Sequence, residues 1–145
     1  MRTVPFDLAQ KLASICFDDY TQNAYATKAR IEYSPLLTNS VLTTKIGSLI
    51  YNYEYCDIDD DDLKQFIKAP SYAQVLEWLR ARDIDIMIER NFSVAKSYRY
   101  VIVVNGDFYS LIHQNSVPNR DYYEAANDAI NYIIDKNLLY KKDNI

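Results

Sequence analysis

Five closely spaced aspartates are the most conspicuous residues in this chain that could bind a metal ion or take part in catalysis. Carboxylate oxygens are the ligands that Ca²⁺ and Mg²⁺ prefer, so these side chains could hold a metal ion. An EF-hand loop starting at Asp57 would need Gly at its sixth position and Glu at its twelfth, where the chain has Asp62 and Lys68. The five residues are Asp57, Asp59, Asp60, Asp61 and Asp62.

A structural role explains the same aspartates without a metal. Acidic residues stabilise the N-terminus of a helix, and a short helix containing Leu63, Phe66 and Ile67 is expected directly after them. We therefore favour the capping role and predict no metal site. A metal-dependent hydrolase that uses Asp57, Asp59 and Asp61 is kept as an alternative.

Nucleophilic catalysis would have to use His113, the single histidine of the chain. A Ser-His or Cys-His mechanism needs this base beside an activated nucleophile, and the sequence contains no Gly-x-Ser-x-Gly elbow. Cys16 lies on the apolar stripe of a predicted helix, where a thiol behaves as a small hydrophobe. Gly47 and Gly106 are too far apart to build a phosphate-binding loop. The sequence predicts no catalytic residue and no cofactor.

Two helix caps frame the part of the chain with the clearest structural signals. The Ser71 hydroxyl can accept a hydrogen bond from the Gln74 N–H while the Gln74 side chain reaches back, which forms a capping box. Asp121 and Glu124 repeat the pattern. Because apolar residues at helical spacing follow both caps, we predict a helix after each, the second ending near Lys136.

Between these helices the apolar period changes from helical to alternating. Ile84, Ile86 and Ile88 alternate with other residues, which predicts a half-buried strand over 83–89. A second strand over 98–104 leads into Asn105-Gly106, a strong hairpin signal, and a third returns over 108–114. The sequence predicts a helix, a three-stranded antiparallel meander and a helix over about 71–136.

A two-residue turn at Asn105-Gly106 would set the register of the second and third strands. It pairs Val103 with Phe108 and Tyr100 with Leu111, and so sorts the side chains onto two faces. We expect the aliphatic face, with Val101, Val103, Phe108 and Ile112, to pack against the helices. The opposite face carries Tyr98, Tyr100, Ile102, Tyr109, Leu111 and His113.

The tyrosine-rich face is the candidate binding surface. Tyr98, Tyr100, Tyr109 and His113 would present rigid amphipathic rings, which are favoured at protein interfaces. The alternative is that the N-terminal half covers this face through Tyr51, Tyr53 and Tyr55. That alternative is favoured, because large exposed apolar patches are uncommon in monomers.

The N-terminal half has weaker signals. We predict a helix over 5–16 with a stripe of Leu8, Leu12, Ile15 and Cys16, a loop over 18–27, and a short strand over 29–33. Segment 36–47 has no clear period, although 41–46 could form an edge strand, and 49–56 alternates as a strand. We therefore expect a single α+β domain over 1–145, with possible sub-units 1–69 and 70–145.

Composition narrows the classes of partner. The chain is 49% hydrophobic and 25% charged with a net charge of −4, which is ordinary for a globular domain. Neither half is basic, which argues against nucleic-acid binding. Its remaining support is a local basic patch that would consist of Arg80, Arg82, Arg90, Lys96 and Arg99.

No apolar run approaches the ~18 residues of a membrane helix. We expect a cytoplasmic protein.

Three cap and packing motifs lie at both ends and in the centre of the chain. They are Pro5-Phe6-Asp7-Leu8-Ala9-Gln10-Lys11-Leu12, Ala69-Pro70-Ser71-Tyr72 with Trp78-Leu79-Arg80, and Tyr123-Glu124-Ala125-Ala126. In these motifs the chain resembles a set of short uncharacterised proteins of phages and mobile elements of gut bacteria, and the resemblance leaves 21–47 unaligned. It implies an accessory protein of a mobile element and supplies no catalytic residue.

We therefore expect a non-enzymatic interaction module that binds another protein or itself through a sheet face or edge. The alternatives are the metal-dependent hydrolase and a nucleic-acid modulator whose arginines converge on one face.

Overall fold

The computed structural model describes residues 2–27, 30–34, 39–51, 66–91, 96–106 and 109–141, without the side chains of 30–34, 39–44, 109, 140 and 141. The chain divides into two compact units: Thr3–Pro70, and Met1–Arg2 together with Ser71–Ile145. In the described ranges each unit contains helix and a three-stranded antiparallel sheet, so the predicted α+β class is confirmed. That the two units make a single domain stays a prediction.

In its described residues, the unit Thr3–Pro70 has one helix followed by short strands. Strand β1 is central in a sheet of order β4-β1-β5, and β2 pairs with β3 separately. Leu8, Ala9 and Leu12 of the helix are buried, as are all three residues of β1. The elements are α1 Phe6–Ser14, β1 Ala24–Ala26, β2 Arg30–Ser34, β3 Asn39–Thr44, β4 Leu49–Ile50 and β5 Phe66–Lys68.

Several predictions for this unit were wrong. The helix expected around Leu63, Phe66 and Ile67 is replaced at its described end by β5, which pairs with β1. Strand β1 itself falls inside the predicted loop over 18–27. Spacing within three residues cannot separate strand from helix, and the pairing that decides between them is remote in sequence. The aspartates of 57–62 lie outside the described residues.

Cys16 also differs from its prediction. It follows the end of α1 with a left-handed φ of 63° and is exposed, so it takes no part in the helix stripe. Phe17, the next residue, is buried instead. Because the backbone reverses its hand directly after the helix, the helical period no longer describes which side chains face the core.

The unit containing Ser71–Ile145 follows the predicted order. A helix leads into the meander β6-β7-β8, and a long helix returns over the sheet. The predicted helix, three-stranded antiparallel meander and helix are therefore confirmed. The elements are α2 Tyr72–Arg80, β6 Ile84–Asn91, β7 Ser97–Asn105, β8 Tyr109–Gln114, α3 Tyr122–Asp135 and α4 Leu138–Lys141.

The Ser71 capping box is complete in this unit, whereas the predicted Asp121 box is reduced to its N-cap bond. Ser71 Oγ accepts from the Gln74 N–H at 3.2 Å, and Gln74 Oε1 accepts from the Ser71 N–H at 3.0 Å, which completes the capping box. Asp121 Oδ1 accepts from the Glu124 N–H at 2.8 Å. These bonds satisfy N–H groups that the first turn of a helix cannot pair internally.

The hairpin register differs from the prediction. Asn105 pairs with Tyr109, so three residues separate the strands instead of the two of a tight turn. Val103 then lies opposite Leu111, and a register shift next to Ile102 brings Ile102 opposite His113. Because opposed residues share a face, Leu111 moves to the face of Val103, away from Tyr100.

The face that packs on the helices is also opposite to the predicted one. Ile84, Ile86, Tyr100 and Ile102 are buried on the inner face, beneath α3, which contacts β6 and β7. Val101, expected inside, is half-buried on the outer face. Both faces carry apolar residues, so hydrophobic pattern alone could not decide between them. Phe108 of the predicted aliphatic face lies outside the described residues.

Candidate interaction surface

Two residues of the predicted tyrosine surface, Tyr100 and His113, lie against α3. Tyr100 is only 5% exposed, and its ring is 5.8 Å from that of His113. His113 stacks in turn on Tyr132 of α3, with the ring centroids 3.7 Å apart and the planes 2° from parallel. Stacked aromatic pairs stabilise a fold beyond the area they bury. These three rings therefore join the sheet to the helix.

The four predicted binding residues do not form one exposed surface. Tyr100 is buried, Tyr98 and His113 are half-buried, and the side chain of Tyr109 is outside the description. Helix α3 of the same unit covers Tyr100 and His113. Their role in binding a partner stays a prediction.

A polar cluster that the sequence did not indicate lies beside this stack. Asn119 is buried; its side-chain amide donates to Asp128 Oδ2 at 2.6 Å, and its Oδ1 accepts from Asn115 at 2.9 Å. Asn119 also forms two backbone hydrogen bonds with Tyr98, each 2.8 Å long. Because these polar groups bond one another, the cluster fits a structural role, holding the segment after β8 against β7.

The described residues support neither catalysis by His113 nor a metal site. The ring contacts of His113 are Tyr100 and Tyr132. In the described ranges there is no group of three or more His, Cys, Asp or Glu side chains placed to hold a metal ion. The hydrolase alternative, which uses Asp57, Asp59 and Asp61, stays untested because those residues are outside these ranges.

Arg80 and Arg99, two of the basic residues considered for nucleic-acid binding, form ion pairs with acidic neighbours. Arg80 pairs with Glu77 and, through Nε, with Asp85 Oδ1 at 3.0 Å. Arg99 Nη2 lies 2.8 Å from Glu89 Oε2. The Asp85 hydrogen bond, followed by the charge of Glu77, raises the pKa of Arg80 above its ordinary value. Such pairing offsets the positive charge that phosphate binding requires.

Arg82 has a different contact. Its guanidinium carbon lies 3.8 Å above the ring centre of Trp78, and its Nη1 donates to the Trp78 carbonyl at 3.1 Å. A cation held over an indole face is stabilised by the ring's quadrupole. Arg82 therefore helps cover the end of α2.

Among the described residues of this unit, the outer face of the sheet carries two large exposed hydrophobic side chains. Met87 and Leu111 are 47% and 61% exposed, and they flank Val101 and Val103 of the central strand. Met87 is opposite Val101, and Leu111 is opposite Val103, so the four side chains form one contiguous patch. The Arg99–Glu89 and Arg80–Asp85 pairs lie at its two ends. We call these four residues the outer patch.

The two described cavities are small. One groove in the unit Thr3–Pro70, lined by Leu12, Phe17 and Phe66 among others, has a volume of about 190 Å³. A second, beside Arg2 and Tyr123, has about 110 Å³. Both are below the ~300 Å³ at which small-molecule pockets begin. Neither argues for an organic substrate.

Among the described residues, no helix is both long and apolar enough to cross a membrane.

Comparisons with known proteins found no relative. No family model, no curated protein and no solved structure matches the chain. The function of the chain must therefore be inferred from its own surfaces.

Proposed function

We propose that this chain is a non-enzymatic protein interaction module of a phage or mobile element, acting in the cytoplasm, and that its outer patch contacts the partner. The observation that supports the proposal is the exposure of Met87 and Leu111 on a sheet whose other face is covered by α3. An apolar centre with a charged rim is typical of interface cores.

The contiguity of the patch distinguishes it from ordinary surface hydrophobicity. Single exposed apolar side chains are normal on a protein surface and need no function. Here two exposed side chains extend a half-buried Val101 and a buried Val103 across three strands. Burying such a patch against a partner would remove apolar area from water at about 25 cal/mol per Å².

Site-specific photocrosslinking tests this surface. A photoreactive amino acid at Leu111 should give a discrete crosslinked product in a lysate of the native host. The matched control is the same amino acid at Glu77, whose exposed side chain belongs to α2. Products of equal yield from both positions, or none from Leu111, would contradict the proposal.

A direct binding measurement completes the test once a partner has been identified by mass spectrometry. The double variant Met87→Thr with Leu111→Thr should weaken its affinity at least tenfold, which corresponds to about 1.4 kcal/mol. Both positions are exposed, so folding should be retained, and far-UV circular dichroism checks this. Unchanged affinity in a folded variant would place the interface elsewhere.

A further inference from the structure

Strand β6 is an edge of the β6-β7-β8 sheet, and the hydrogen-bond pattern shows which of its backbone groups point outward. The Asn105 N–H donates to the Asp83 carbonyl at 2.8 Å, and Tyr98 forms both of its bonds with Asn119, on the other side of β7. Hydrogen-bonded pairs alternate along an antiparallel ladder, so Asp85, Met87 and Glu89 bond to β7 as Asp83 does, and the residues between them do not. The N–H and C=O groups of Ile86, Ile88 and Arg90 therefore point away from β7.

These outward groups have no hydrogen-bond partner among the residues that the structure describes. An edge of this kind is a template for another strand, and proteins usually blunt it with a bulge, a proline or a short length. Strand β8 is blunted: it has six residues and a register shift against β7. Strand β6 has eight residues in unbroken register and contains neither proline nor glycine.

One end of the β6 edge is less accessible. Arg80, the last residue of α2, reaches Asp85 on the outer face with its Nε 3.0 Å from Oδ1. Helix α2 also contacts β6, so we place the accessible part of the edge at residues 86–90.

We propose that two copies of this chain pair through their β6 edges, antiparallel about a twofold axis at Ile88, to form one continuous sheet. In this register Ile88 meets Ile88 of the second copy, and Ile86 meets Arg90 of the second copy. Outward groups then face outward groups along the whole contact, which gives about six backbone hydrogen bonds. The inference goes beyond the proposed function, because it uses the edge of the sheet and not the outer patch.

The charges that would face each other, and the position of Arg80, favour an axis at Ile88 over axes at nearby residues. With the axis at Ile88, Met87 faces Glu89 of the second copy and Asp85 faces Asn91 of the second copy, so no like charges oppose each other. An axis at Met87 would oppose Asp85 to Glu89 twice, and an axis at Glu89 would oppose two copies of Glu89. Like charges directly opposite on a sheet are destabilising. An axis at Ile86 would centre the contact nearer the end of the strand that is paired with Arg80.

The edge contact is small compared with the ~1,200 Å² that stable complexes bury. We therefore expect a reversible dimer that dissociates on dilution through the micromolar range.

The test is sedimentation velocity of the full chain over a wide concentration range, for the wild type, Arg90→Pro and Arg90→Ala. Proline at position 90 removes an outward N–H and leaves the ladder to β7 intact, and edge strands tolerate it. The expected result is dimerisation of the wild type and Arg90→Ala, with the dissociation constant of Arg90→Pro raised at least tenfold. A wild type that stays monomeric at every concentration, or an Arg90→Pro chain that dimerises equally well, would overturn the proposal.

Amide hydrogen exchange of the wild type gives a second readout that does not depend on a variant folding. The N–H groups of Ile86, Ile88 and Arg90 should exchange at least tenfold more slowly at high than at low concentration, while the Met87 N–H, already bonded to β7, should not respond. Exchange that is independent of concentration would overturn the proposal. A dimer that is lost in Leu111→Thr but kept in Arg90→Pro would also overturn it, and would support the outer patch instead.

Discussion

At the scale of single residues, the same residue type has several different roles in this chain. The Tyr25 hydroxyl donates to the Val4 carbonyl at 2.6 Å, and the Tyr72 hydroxyl donates to Asn127 Oδ1 at 3.3 Å. Tyr100 is buried beneath α3, whereas Tyr51 is exposed. Tyrosine has an apolar ring and a polar tip, so it can pack in a core as well as lie at the surface.

Burial of Tyr100 predicts a loss of stability in alkali. Burial, followed by the charges of Asp128 and Tyr132, raises the pKa of Tyr100 above its ordinary value of 10.0. Above pH 10.0 the unfolded chain loses the Tyr100 hydroxyl proton while the folded chain keeps it. The free energy of unfolding therefore falls as the pH rises toward the pKa of Tyr100 in the folded chain. Below pH 10.0 both states are protonated, and this tyrosine contributes no pH dependence.

The check is urea unfolding at neutral and strongly alkaline pH for the wild type and Tyr100→Phe. We expect the alkaline decrease in unfolding free energy to be smaller in the variant. Tyr20→Phe, at an exposed tyrosine, is the control and should behave as the wild type. An identical decrease in Tyr100→Phe and the wild type would refute the prediction. The pKa of Tyr25 is also raised, mainly by burial, so some alkaline decrease should remain.

At the scale of elements, local capping chemistry and non-local pairing contribute differently. The Ser71 capping box is complete within four consecutive residues and needs no distant contact. The β7–β8 register depends on a three-residue connection and a shift beside Ile102, and neither follows from Asn105-Gly106. A one-residue change of register reverses which face every following side chain occupies.

Removal of the Ser71 cap should destabilise the unit that it begins. Ser71→Ala deletes the side-chain acceptor of the Gln74 N–H, and loss of such a cap costs about 0.5–2 kcal/mol. Chemical denaturation should show a lower midpoint with an unchanged slope. Ser116→Ala, at an exposed serine after β8, is the control and should stay within about 0.5 kcal/mol of the wild type. Equal midpoints for both variants would show that the cap contributes nothing.

At the scale of the whole molecule, the unit containing Ser71–Ile145 has a core of its own. Trp78, Leu79, Ile102, Ile130 and Ile133 are all buried and all belong to this unit. Arg2 also belongs to it: its carbonyl accepts from the Tyr72 N–H at 3.1 Å, and its guanidinium carbon lies 4.7 Å from the ring centre of Tyr123. A core built from contiguous chain is the condition for independent folding.

We therefore expect segment 71–145 to fold when expressed alone. Trp78 is the single tryptophan and is 3% exposed, so its fluorescence reports the core directly. The emission should be blue-shifted and should move to the red in one cooperative transition on denaturation. A second form that keeps Arg2, as residues 2 and 71–145 joined by a short linker, should be about 1 kcal/mol more stable. Red emission without denaturant, as from a solvated indole, would show that the segment does not fold.

The sequence by itself determined the features that depend on near neighbours. The Ser71 and Asp121 caps, strand β6 and the order helix, meander, helix all follow from spacing within a few residues. The balance of apolar and charged residues was sufficient to predict a globular domain, and the caps and apolar periods predicted its α+β class. These signals are local, and the tertiary structure had no reason to override them.

Only the tertiary structure decided which face of the sheet is buried, how β7 pairs with β8, and that Phe66–Lys68 is a strand. Both sheet faces are apolar, so the position of α3 settled which one lies in the core. A three-residue segment has no readable period, so its conformation came from the partner strand β1. In each case the deciding contact joins residues far apart in the chain, and the energy of such a contact is not contained in either segment alone.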